Sequence, residues 1–80
     1  MKFELFTQVT LLKDYPQDHL QRGDIATIVE HHPVTHGEDG YSLEVFNAIG
    51  ETIAVITVAE SDIQPLGANE VLHVRLLEVA

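Results

Sequence analysis

Apolar and polar side chains alternate along most of this chain with a period of two, the repeat of a strand that shows one face to a core and the other to water. Phe6 to Lys13 opens the series, with Val9 and Leu11 set between Gln8 and Thr10. Residues 14–22 are too polar, and at Pro16 too interrupted, to continue it; they are expected to loop over one end of the fold through Tyr15 and Leu20. Gly23 and Asp24 then punctuate, and the β-branched run Ile25 to His32 reads as a second strand launched from a tight turn. Ile28 and Val29 are both apolar, which breaks the alternation and calls for a bulge or for cover on both faces.

Pro33 to Gly40 carries no apolar periodicity and reads as a solvated, mobile loop. Alternation resumes at Tyr41, Leu43 and Val45, and Asn47 with Gly50 predicts a short hairpin turn into Thr52 to Val58. That fourth strand is almost continuously apolar, so a central position covered twice is expected. Ser61 or Asp62 suits the cap of a single helical turn, after which Ile63 to Leu66 makes a short edge segment ended by Pro65. Beyond the turn at Gly67 to Asn69, Val71 to Val79 reads as a long final strand with Leu72, Val74 and Leu76 on one face. The sum is all-β: five short strands and one more.

Eighty residues cannot enclose two cores, so residues 1–80 are expected to form one domain. Cysteine is absent, which removes disulfides and thiolate metal sites. No apolar run approaches the about 20 residues of a membrane span, and Met1 to Phe6 lacks the apolar centre of a signal peptide; a soluble cytoplasmic protein is the expectation. Thirteen acidic side chains against four basic ones give a formal net charge of −9 and a pI near 4.6. Lys2, Lys13, Arg22 and Arg75 are scattered, whereas phosphate backbones need clustered cations, so nucleic acid and anionic membranes are disfavoured as partners. The same field would speed encounter with a basic protein, or would simply keep a small domain in solution.

Several stretches together resemble the small bacterial family catalogued as domain of unknown function 4926: Val9-x-Leu-Leu-Lys, Leu20-x-x-Gly-Asp-Ile-Ala-Thr-Ile-Val-Glu, Tyr41-x-Leu-Glu-Val-Phe, Gly50-Glu-Thr-Ile-Ala and Ser61-Asp-Ile-x-Pro-Leu. The resemblance runs in order from about residue 6 to 66. It implies an SH3-like barrel of five bent strands with a one-turn helix before the fifth; the stretch at about 70–79 lies beyond the resemblance and is read from its own pattern as an extension strand. Ala26 stands where the family pattern often has glycine. The resemblance carries no catalytic residues. Because some members sit beside toxin-like genes, it implies an antitoxin, immunity-like or regulatory partner.

His31, His32 and His36, near Glu30, Glu38 and Asp39, form the one cluster with metal-ligand chemistry, of the kind that suits Zn²⁺ or Ni²⁺. Adjacent strand residues point to opposite faces, so His31 and His32 cannot both aim at one ion, and a solvated loop is preferred to a metal site. Asp24, Glu51 and Asp62 fall at turns, where a short carboxylate satisfies backbone N–H groups. No serine lies in a nucleophile elbow, and Gly37-x-x-Gly40 lacks the cation of a phosphate cradle. No catalytic residue, cofactor or enzymatic activity is expected.

The expectation is a non-enzymatic protein-interaction module whose loops meet a partner through Tyr15, Glu38, Asp39 and Tyr41. Leu72, Val74 and Leu76, with His73 and Arg75, would pair the last strand across a homodimer or fold it back as a sixth strand of its own barrel. An accessory subunit or a small-molecule or metal-binding barrel using the histidine loop at 30–39 is the alternative.

Overall fold

The computed structural model of the chain describes residues 2–77. Five antiparallel strands, β1 (Gln8–Leu11), β2 (Ile25–His32), β3 (Gly40–Phe46), β4 (Thr52–Ala59) and β5 (Ile63–Pro65), make a single sheet in the order β4-β3-β2-β1-β5. Single 3₁₀ turns occupy Pro16–Asp18 and, directly before β5, Glu60–Asp62. The all-β class and the turn ahead of the fifth strand agree with the sequence, but Ser61 and Asp62 lie within that turn and its N-cap is Ala59. The ladder does not close, however: among the described residues β4 and β5 are the two edges and are not hydrogen-bonded to each other.

Alternation sets the core. Val9 and Leu11 of β1, Ile28 of β2, and Tyr41 and Leu43 of β3 are wholly buried on one face, each contributing about 1.5–3 kcal/mol. Phe3 and Leu20, outside the strands, join the same cluster. The break at Ile28 and Val29 is a bulge: Ile28 pairs with Leu43 and Glu30 with Ser42, leaving Val29 as the extra residue. At the hairpin, Gly50 takes φ of +86° while Asn47 Oδ1 accepts the backbone N–H groups of Ile49 and Glu51.

Two elements differ from expectation. β4 is an edge strand, not a central one, and Val55 is 62% exposed on its outer face. A continuous apolar run shows that both faces are apolar, not that the chain has anything left with which to cover the second. The final strand is also absent among the described residues: 70–77 form no strand, and 78–79 of the expected span lie outside the description. β5 is only three residues long and ends at Pro65, which offers no backbone N–H from which a neighbour could be propagated.

Candidate functional site

The loop 33–39 is pinned to the 3₁₀ turn below it. Asp39 Oδ1 accepts the Val34 N–H at 3.0 Å, Asp39 Oδ2 meets His31 Nε2 at 2.7 Å, and the Asp39 carbonyl accepts the Glu60 N–H at 2.9 Å. Glu38 accepts both the N–H and the hydroxyl of Ser61, at 2.6 and 3.1 Å. Glu38 thus gives the turn a carboxylate acceptor that its own N-cap, Ala59, does not supply. The His31 hydrogen bond and the Val34 N–H hold the Asp39 carboxyl below the usual carboxylate range.

Beneath the loop, Tyr41 is fully buried and donates its hydroxyl to Glu60 Oε2 at 2.6 Å. Its ring meets His31 at a centroid distance of 5.2 Å and Phe3 edge-on at 5.4 Å. Burial first, and the Glu60 bond second, push the phenol upward from its ordinary pKa. Tyr41 is therefore a core residue rather than a contact residue: the hydroxyl reaches a carboxylate, which lets the ring be enclosed. Tyr15 is half-buried against the core, with its hydroxyl enclosed and without a hydrogen-bond partner among the described residues. Of the four expected loop contacts, Glu38 and Asp39 reach the surface but are already engaged.

The histidines do not converge. The bulge turns His31 inward onto Tyr41, His32 meets Ser42 Oγ at 2.7 Å on the other face, and His36 lies exposed in the loop. Among the described residues no group of three or more His, Cys, Asp or Glu side chains is placed to hold a metal ion.

At the opposite side of the fold, Asp24 of the turn into β2 receives Arg75 from the C-terminal segment. Arg75 Nε donates to Asp24 Oδ1 at 2.8 Å, Nη2 donates to Oδ2, and Nη2 also reaches the His19 carbonyl at 3.2 Å. The pair is two-pronged and partly buried, the geometry in which a guanidinium binds best. Around this clamp Leu72, Val74 and Leu76 remain 65%, 85% and 84% exposed, and His73 is exposed as well. The five residues expected at an interface thus divide into one anchor and four that face solvent.

Two features were not read from the sequence. Phe3 is a core residue, although it precedes the first alternating run. Phe6 is 74% exposed and holds φ at +65°, a conformation bulky side chains rarely adopt, with its N–H bonded to the Ile28 carbonyl at 2.6 Å. No helix among the described residues is long and apolar enough to cross a membrane.

No curated protein and no solved structure matches the chain. A family model does: it spans residues 5–65, which takes in every strand and 3₁₀ turn of the described residues as well as Asp24, and leaves the segment with Arg75 outside. The chain belongs to the family described as Domain of unknown function (DUF4926).

Proposed function

We propose that this chain is a non-enzymatic protein-interaction module that associates with itself through residues 71–77 and with a basic protein through its acidic surface. An antitoxin, immunity-like or regulatory role toward a neighbouring gene product fits that chemistry. The observation that carries the reading is the exposure of Leu72, Val74 and Leu76 in a segment anchored at Arg75. Apolar side chains left in water on a strand-forming stretch recruit another chain. Support also comes from the titratable groups of the loop: Glu38, Asp39, His31 and Glu60 each serve a capping or packing bond, and His32 serves Ser42. A metal would have to break those bonds before binding.

The test is affinity purification of a partner with the full-length chain, followed by binding at rising ionic strength. The expected complex weakens with salt and with Glu30→Lys, since that carboxylate is exposed. A partner indifferent to both overturns the acidic-surface half of the reading. Turnover by the purified chain alone overturns the non-enzymatic half.

A further inference from the structure

Among the described residues, one sheet edge has no strand beside it and one segment of strand-like pattern joins no sheet. β4 is an eight-residue edge, and Ile53 and Val55 on its outer face are exposed, with Phe46 of β3 and Ile49 of the hairpin also exposed nearby in sequence. It lacks the usual protection: no proline, no lysine and no charged side chain lies between Glu51 and Glu60. A register shift near Ile53 disturbs only its start, and Ala54 to Ala59 remain in continuous register with β3. Residues 71–77 likewise lie between two acids, Glu70 and Glu78, and contain none. Among the described residues, 70–77 are part of no strand of the sheet.

We infer that residues 71–77 of a second copy of this chain add to the β4 edge as a sixth strand, in a two-fold dimer where each copy supplies one strand and one edge. This rests on the self-association half of the reading above and names its acceptor. Charge selects the occupant. Glu51 and Glu60 flank the β4 run, and a stretch bearing acids would be repelled, whereas 71–77 bears none and brings His73. Length agrees as well: seven extended residues reach about 24 Å and eight strand residues about 27 Å. A two-fold interface repeats the contact, so each addition needs to bury only about half of the roughly 1,200 Å² at which stable interfaces begin. The chain's own segment is held elsewhere, because Asp24 fixes Arg75 beside the start of β2, two places from β4 in the sheet.

Sedimentation or light scattering on the full chain is expected to show a dimer that tightens with salt, since two copies of charge −9 repel. Val55→Lys spoils the edge and Val74→Glu spoils the strand, so each variant alone is expected to be monomeric. Their mixture is expected to restore a dimer of one chain each: one contact joins an intact edge to an intact strand, and the other sets the introduced lysine against the introduced glutamate. A dimeric Val55→Lys variant beside a monomeric Val74→Glu variant overturns the β4 edge and leaves self-association standing. A wild-type chain that stays monomeric at every concentration overturns both. Hydrogen exchange on the wild-type chain decides without any variant: protection of Ala54 to Ala59 is expected to rise with protein concentration, and protection that stays constant overturns the inference.

Discussion

The acidic loop 33–39 and the apolar segment 71–77 are each seven residues long, and they are held in opposite ways. The loop is fastened by Asp39 to Val34, His31 and Glu60 and by Glu38 to Ser61, over a buried tyrosine. The segment is anchored through Arg75 at Asp24, with its large apolar side chains in water. Charged residues here do the internal joining, and apolar ones are left outside. Carboxylates can behave so because each accepts several short bonds from backbone donors that would otherwise go without partners. Apolar side chains gain only by area covered, and the described residues offer the segment no surface that covers it.

Substitutions graded by size separate the two regions. Tyr41→Ala removes the ring beneath the loop and is expected to cost about 3–5 kcal/mol in urea unfolding, enough to unfold much of a domain this small. Asp24→Ala strands a partly buried guanidinium and takes the acceptor from the Gln21 N–H, for about 2 kcal/mol, with faster hydrogen exchange at 71–77 but not at 33–39. Glu38→Ala is expected to cost about 1 kcal/mol and to speed exchange at Ser61 alone. Val74→Ser, at the exposed end of the comparison, is expected to change the stability of the monomer by less than about 0.5 kcal/mol. If Val74→Ser destabilises the monomer more than Glu38→Ala does, the contrast between the regions is wrong.

Asp39 of the loop and Tyr41 beneath it each contribute a pH dependence. Asp39 has a folded pKa below its unfolded one, so its contribution is present above about pH 4 and is lost as pH falls through the folded value. Tyr41 has a raised folded pKa, so its contribution is present below about pH 10 and is lost as pH rises through the folded value. Urea midpoints measured across both limits are expected to flatten at the acid end in Asp39→Asn and at the alkaline end in Tyr41→Phe.

Much of the sheet was legible because strand alternation is local: Val9 with Leu11, and Tyr41 with Leu43 and Val45, face inward as their spacing dictates. Gly23, Asn47 and Gly50 marked real turns for the same reason. What escaped was everything decided at a distance. Glu38 looks like a solvated acid until Ser61, 23 residues on, is brought beneath it. Ile53 and Val55 read as interior because their composition is apolar, but whether a second layer exists depends on the rest of the chain. The stretch from Val71 has the pattern of a strand and forms none among the described residues, and no periodicity reports whether a neighbour is there to pair with.

The surplus residue at Val29 acts as a change of reading frame in the pleat. Without that shift Glu30, rather than His31, would stand opposite Tyr41, and a carboxylate would enter the space an imidazole now fills. Removing Val29 would preserve every pairing downstream, whereas removing His31 would set Glu30 or His32 opposite Tyr41. When related chains are laid side by side by their hydrophobic rhythm, a single gap is therefore tolerable at 29 and not at His31.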